Sequence, residues 1–418
     1  CIISWQALQG MGRKPGWPID AGAGVRYGYN EKLGVPPERK AHMAHILLAP
    51  DSFKGTMTAL EVCEIWEQAV KARLPHMECR SIPLADGGEG MVDAYLKACG
   101  GKRITARVHG PFMEEVEAVY GLLPDGTAVL EMASCGGLPL AASHLDPLRA
   151  TTYGVGELLL HSASRGAQRV LLGLGGSATN DGGMGMAAAL GYTFVDEAGC
   201  LLPPLAQHMG QMAEIQPPPM AYPLPVIAAC DVDNPLCGPR GATAVFGGQK
   251  GVTPQTAPLL EQGLANLAER VQKDLGKLVW ELPGAGAAGG LGAGAVAFAG
   301  ATLQSGIQLL LDAAGFDQAL GEAALVITGE GRLDGQSLAG KAPLGVARRC
   351  KAAQVPCIAL CGSLGPGAED AYSEGITAAF SAVRGPCDFQ EIQRTCREDM
   401  ARLAEAVLGV WELVHRAL

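Results

Sequence analysis

From Met43 onward, short apolar runs of strand length alternate with amphipathic stretches of helix length, and the runs open into loops rich in Gly or Asp. Ile46 to Ala49, Cys79 to Pro83, Val170 to Leu174, Val226 to Ala229, Ala324 to Thr328 and Cys357 to Leu360 are such runs. The stretch from about Ala59 to Leu74 reads as the first helix. Buried strands alternating with helices make βαβ units, so the fold class is α/β. Thr58 and Glu61 form a Thr-x-x-Glu capping box that places the start of that helix. The loop Pro50 to Met57 therefore links a strand end to a helix start, the edge at which open α/β sheets bind ligands. Asp51, Ser52 and Lys54 lie in it.

A length of 418 residues suits about two or three domains. Only 5% of residues are aromatic and 58 are glycine, a globular composition with many tight turns. The formal net charge of −10 argues against nucleic acid or an anionic membrane as partner, so a small anionic substrate needs local basic residues. Thirteen cysteines scattered without a CxxC pair suit free thiols in a reducing cytoplasm. The histidines show neither HExxH nor zinc spacing. Residues 1–42 carry Trp, Pro and Gly but no sustained period, and are expected to be a disordered or non-native extension ahead of a functional start at Met43. The apolar part, Cys1 to Leu8, is too short for a signal peptide or a span. Pro203 to Pro225 reads as a surface connection, and Phe389 to Leu418 as a long amphipathic helix interrupted at Gly409. The low-complexity stretch Pro283 to Ala301 reads as a Gly/Ala-rich helix that lets another backbone or a ligand come close.

Several loops can carry chemistry. In Gly173 to Gly185, GLGGSATNDGGMG, glycine lets backbone N–H groups approach an anion, and a following helix points its positive end at the same place. Gly175, Gly176, Ser177, Thr179 and Asn180 are the candidate binding residues there. Asp181 can hold Mg²⁺ or take a proton from an attacking hydroxyl. LADGGEG, Leu84 to Gly90, places Asp86 and Glu89 around two glycines, which fits a metal site, a general base or a plain turn. ACDVDNPLCGPRG adds Asp231, Asp233 and Asn234 before Arg240, with turn formation as the other reading. TGEGRLDGQSLAGKAP, Thr328 to Pro343, holds Glu330, Arg332, Asp334, Ser337 and Lys341. Its GxxxxGK match is no P-loop, because Ala342 stands where a hydroxyl is needed and the match begins six residues past the strand. Arg332 or Lys341 can still meet a carboxylate or phosphate, or remain solvated. CGSLG lacks the first glycine of a nucleophile elbow.

Taken in order, APDSFKG, ADGGEG, GLGGSATNDGG, ACDVDNPLCGPRGA, PGAGAAGGLGAG, ITGEGRLDGQSLAGKAP and CGSLG closely resemble the type-1 glycerate kinase family from about Met43 nearly to Leu418. The resemblance implies ATP- and Mg²⁺-dependent phosphorylation of D-glycerate, at the 2-hydroxyl in preference to the 3-hydroxyl, by a cytoplasmic enzyme. It also implies two α/β domains with the active site in the cleft. A flavodoxin-like, Rossmann-like parallel-sheet domain (43–80 plus 290–418) comes from both chain ends, and the second (81–289) is inserted. Homo-oligomerisation stays open. On chemical grounds Asp181 or Asp86 is the base, Lys54 and Arg332 neutralise charge, and Asp86, Glu89, Asp181 and Asp231 are the candidate Mg²⁺ ligands. Phosphate or substrate binding falls to Asp51, Ser52, Gly175 to Ser177, Thr179, Asn180, Glu330, Asp334 and Lys341. One rival is an NAD(P)-dependent oxidoreductase on a small hydroxy acid, with Gly173-x-Gly175-x-x-Ala178 as fingerprint and Asp196 or Glu197 at the ribose. A non-catalytic small-acid sensor is the other.

Overall fold

A computed structural model describes residues 45–85, 88, 90–335 and 342–416. The expected extension at 1–42 lies outside the described residues, as do Asp86, Glu89, Ser337 and Lys341. The described chain enters on β1 (His45–Pro50), buried along its whole length, and crosses through the helix Ala59–Arg73 to the parallel strand β2 (Glu78–Ser81). Thr58 caps that helix as expected: its Oγ1 accepts from Glu61 N–H at 3.2 Å, and the Glu61 carboxylate accepts from Thr58 N–H at 2.8 Å.

After the helix Met91–Cys99 comes an antiparallel meander of β3 (Lys102–His109), β4 (Glu115–Leu122) and β5 (Thr127–Glu131). Then follow β6 (Arg169–Gly173), the small antiparallel pair β7 (Thr193–Val195) and β8 (Glu214–Gln216), β9 (Val226–Ala229) and β10 (Thr302–Gln304). The chain finishes through β11 (Ala323–Gly329), the two-residue strand β12 (Arg332–Leu333), β13 (Cys357–Cys361), the equally short β14 (Ser363–Leu364) and β15 (Ala378–Ser381).

Two large sheets result. The first, in the order β2-β1-β11-β13-β15, is wholly parallel. Its strands, counted along the chain, stand 2-1-3-4-5, the flavodoxin-like order. Alternation along β1 sends Ile46 and Leu48 to one face, where they meet Trp66, Met400 and Leu403 of the paired helices Ala59–Arg73 and Phe389–Arg416. Leu47 and Ala49 point the other way. The second sheet, β3-β4-β5-β6-β9-β10, is parallel from β5 to β10 and antiparallel at the β3–β4 side. Its residues Val129, Leu171 and Ala229 share one apolar cluster with Leu47 and Ala49, filled by Tyr95 and Leu310 of the helices Met91–Cys99 and Gly306–Ala313. Both chain ends thus build one sheet and the middle builds the other. No helix among the described residues is long and apolar enough to cross a membrane.

The stretch Ala287–Ala299 is helical from Leu291 on, as the Gly/Ala-rich reading expects, but a kink precedes it in which Ala288, Gly289 and Gly290 take left-handed backbone with φ of +53, +70 and +89. Two expectations are corrected. The final helix runs unbroken through Gly409, because it lies along the helix Ala59–Arg73, with Gly409 beside the Arg73 guanidinium. Packing along that face outweighs the roughly 1 kcal/mol that a mid-helix glycine costs. The stretch from Pro203 to Pro225 is a surface connection only in its second half, 217–225: before that Ala206, Met209, Met212 and Ile215 are buried, around the 3₁₀ turn Ala206–Gln211 and β8.

Candidate functional site

In the first sheet the chain leaves β1 toward β2 and returns on the other side with β11, which opens a crevice beyond the carboxyl ends of β1 and β11. Asp51 and Glu330, only 3% and 6% exposed, occupy those two ends. They stand side by side, since Asp51 N–H donates to Gly329 O at 2.8 Å. The loop after β13 joins them through Gly362 N–H to Glu330 O (3.1 Å) and Ser363 N–H to Gly331 O (3.1 Å). The three loops make one ledge. Lys54 and Arg332 stand on its exposed rim, Arg332 paired with Asp334 at 3.1 Å, and Ser52 is half-buried. CGSLG runs on from β13 into β14, which pairs with β12, so the strand-to-sharp-turn geometry of a nucleophile elbow is absent from it.

The run from Leu84 to Val92 links this ledge to the second sheet. Leu84 N–H donates to Pro50 O at 2.9 Å, at the end of β1. Val92 N–H donates to Glu131 Oε1 at 2.7 Å, at the end of β5.

The glycine-rich loop leaves the end of β6, next to β5. Leu138 N–H donates to Gly176 O at 2.9 Å and Ala178 N–H to Gly136 O at 2.8 Å, which fix the loop against the turn after β5. Gly175 and Gly176 sit at the solvent-facing rim, and their N–H groups donate no hydrogen bond to the described residues. From Ser177 to Gly183 the loop is buried. Its far side rests on the helix Ala287–Ala299, with Gly182 N–H donating to Gly289 O at 3.0 Å. A Cβ at Gly289 would lie 2.0 Å from Thr179 O, and one at Gly294 2.4 Å from Gly182 O, so only glycine lets the two backbones touch.

Asp181 is fully buried and accepts four hydrogen bonds. Its Oδ2 takes Thr152 N–H (2.8 Å), Thr152 Oγ1 (2.8 Å) and Gly185 N–H (3.1 Å), and Oδ1 takes Gly183 N–H (3.1 Å). The carboxyl ties the entry of the helix Met184–Ala189 to that of the helix Tyr153–Ser164. Burial pushes it above the usual carboxylate range, against the pull of these donors. A metal ion or hydroxyl at Asp181 would have to displace chain atoms. Asn180 Nδ2 donates to Thr243 Oγ1 at 3.1 Å, while Asn180 Oδ1 and Thr179 Oγ1 are buried with no hydrogen-bond partner among the described residues.

Lys250 is the residue that reading the sequence missed. It is 1% exposed, and its Nζ donates to Ser177 Oγ at 2.8 Å and to Thr179 O at 2.7 Å. Burial pulls its ammonium down to about 7, with Asp181 as the charge that opposes this. In the sequence it is a lysine in Gly247-Gly-Gln-Lys-Gly251, with no apolar period around it to signal burial.

Asp231 is directed to its own chain: it accepts from Ser305 Oγ at 2.7 Å and from Ile307 N–H at 3.2 Å, at the start of the helix Gly306–Ala313. Asp233 pairs with Arg240 at 2.9 Å on the surface. Among the described residues no group of three His, Cys, Asp or Glu side chains is arranged to hold a metal ion.

The model of the glycerate kinase family matches residues 46–412. The chain belongs to the glycerate kinase family. A glycerate kinase of Bacillus cereus is 42% identical over 373 residues, 88% of this chain and 98% of the relative. A protein of Escherichia coli named glycerate 2-kinase is 39% identical over 367 residues, 87% of this chain and 96% of the relative. A crystal structure assigned as a glycerate kinase 2 of Salmonella typhimurium LT2 superposes with a TM-score of 0.76 at 38% identity, covering 89% of this chain and 99% of that one. This family member is therefore a kinase with an α/β fold, built on two large sheets. The oxidoreductase reading fails in the structure as well. Asp196 follows β7, outside both large sheets, and its Oδ1 closes a turn on Ala198 and Cys200 N–H.

Proposed function

We propose that this kinase transfers the γ-phosphoryl group of ATP to the 2-hydroxyl of D-glycerate, giving ADP and 2-phosphoglycerate. The observation that carries the reading is the rim of the glycine loop, where Gly175 and Gly176 offer N–H groups that no described residue takes up. Phosphoryl transfer asks mainly for fixed donors around the phosphates and for cations where charge develops. The loop supplies the donors, and Lys54 and Arg332 on the ledge supply cations suited to the glycerate carboxylate or the transferred group. Asp51 and Glu330 are placed to accept or orient the hydroxyl proton.

Mg²⁺ takes one or two carboxylates and completes its shell with water and phosphate oxygens. Asp51 and Glu330 are donors of that type, as are Asp86 and Glu89 in the loop after Ala85, whereas Asp181 and Asp231 are engaged by chain donors. When bound, the ion supplies charge neutralisation at the phosphates. The 2-hydroxyl is favoured by the name of the E. coli relative. In this reading residues 43–80 with about 305–418 form one domain and 81–304 the other, the expected boundary near 290 moving because β10 pairs with β9 in the second sheet, and glycerate and ATP meet between the ledge and the loop. The described cysteines are free thiols, which fits the cytoplasm.

Incubation with ATP, Mg²⁺ and D-glycerate, read by ³¹P NMR, tests the proposal. A 2-phosphoglycerate signal that depends on both substrates is expected. Formation of 3-phosphoglycerate would overturn the regiochemistry, and a folded sample that forms no ADP would overturn the reaction.

A further inference from the structure

We propose that Lys250 is a positioning residue of the phosphoryl-transfer site: its ammonium, bonded to Ser177 Oγ and Thr179 O, holds the glycine loop in its anion-binding shape and so sets nucleotide affinity without touching the nucleotide. This rests on the reading that the loop takes the phosphates of ATP.

A buried ammonium is costly unless it is paired and hydrogen-bonded, and a hydrophobic side chain of similar length would fill the same space without that cost. The ammonium therefore needs a reason beyond packing. Its two acceptors flank Ala178, so one side chain fixes both ends of Ser177-Ala178-Thr179. That tripeptide follows directly on Gly175 and Gly176, whose backbone is otherwise the freest in the loop. Gly251, at φ +88, turns the chain immediately after the lysine, and Lys250 N–H donates to Gly247 O at 2.9 Å, so the base from which the side chain reaches is itself fixed. Burial depresses the ammonium and Asp181 supports it, and Asp181 is itself held by Thr152, Gly183 and Gly185. Below about pH 7, where Lys250 carries its proton, the positive charge beneath the loop also has electrostatic value in a chain of net charge −10, and above it the neutral amine keeps donors for both acceptors.

The experiment compares wild type with Lys250→Met and Lys250→Arg in steady-state kinetics, varying ATP and D-glycerate separately, on enzyme shown to be folded by thermal melting. Lys250→Met is expected to raise KM for ATP at least tenfold, with kcat and KM for glycerate within threefold of wild type. Lys250→Arg, which keeps the charge, is expected to recover part of the loss. A KM for ATP within twofold of wild type in folded Lys250→Met overturns the proposal whatever happens to kcat, and with 2-phosphoglycerate still formed it leaves the loop's assignment standing. A rise confined to the KM for glycerate overturns that assignment, and this proposal with it. Should Lys250→Met not fold, Ser177→Ala removes the side-chain end of the tie. It is expected to raise KM for ATP three- to tenfold, and an unchanged value overturns the proposal.

Discussion

At the end of β6 every side chain from Ser177 to Asp181 is buried, whereas at the ends of β1 and β11 the loops leave Lys54 and Arg332 exposed above the buried Asp51 and Glu330. Both are loops at the ends of parallel strands, yet one presents backbone and the other long side chains. Backbone N–H groups have no rotamers with which to adjust, so the scaffold must hold them, through Lys250, Asp181 and the glycine contacts with the helix Ala287–Ala299. Cations on flexible stems can follow their ligand and need little support. Substitutions in the first region should therefore cost stability as well as function, and substitutions on the second should cost function alone.

The largest effect is expected at Asp181. Asp181→Ala removes an acceptor of four buried donors and the charge facing Lys250, which should lower unfolding free energy by about 3–5 kcal/mol in denaturant titrations. A loss below about 1 kcal/mol would show that the glycine loop needs no more support from the scaffold than the ledge does. Gly289→Ala comes next. Its Cβ would meet Thr179 O at 2.0 Å from a backbone at φ +70, so about 2–4 kcal/mol should be lost, together with affinity for ATP. A fully stable Gly289→Ala enzyme would show that the loop does not need this close contact.

Stability against pH sharpens the contrast. Below about pH 7 Lys250 is protonated in both folded and unfolded chains, and the full cost of burying its charge applies. Between there and its ordinary value of 10.5 the unfolded chain keeps the proton and the folded chain releases it, so stability rises with pH. At about 1.4 kcal/mol per unit, wild type should gain about 2 kcal/mol relative to Lys250→Met from pH 7 to pH 9. Parallel curves for the two proteins would contradict the burial of the ammonium. The smallest stability effect is expected at Arg332→Ala, within about 0.5 kcal/mol of wild type because its ion pair with Asp334 is exposed. Its kcat/KM should nonetheless fall at least tenfold, and wild-type kinetics would remove Arg332 from the site.

The strands β1, β6, β9, β11 and β13 were legible because their apolar residues are contiguous, as strands covered on both faces must be. The β3–β4 hairpin was not. In Lys102–His109 only Ala106 and Val108 are buried and Ile104 is half-buried, with Lys102 and Arg103 ahead of them and Thr105 and Arg107 between them, so no contiguous apolar run marks it. The glycine loop itself stood out, because close backbone approach demands glycine whatever the ligand. The role of Asp181 was not legible, since a carboxylate among glycines serves equally as a reactive group facing solvent or as a buried acceptor of backbone N–H, and the helix entries at Thr152 and Gly185 that decide the matter come from different parts of the chain. Lys250 was hidden for the same reason: its acceptors lie some 70 residues away in sequence.

In this reading the phosphates of ATP lie on the glycine loop. A crystal structure with a non-hydrolysable ATP analogue and Mg²⁺ tests this most directly. Phosphate oxygens are expected within hydrogen-bond reach of Gly175 and Gly176 N–H, with Lys250 still bonded to Ser177 and Thr179. Phosphates seated on the ledge of Asp51, Lys54 and Arg332, with the glycine loop empty, would contradict it.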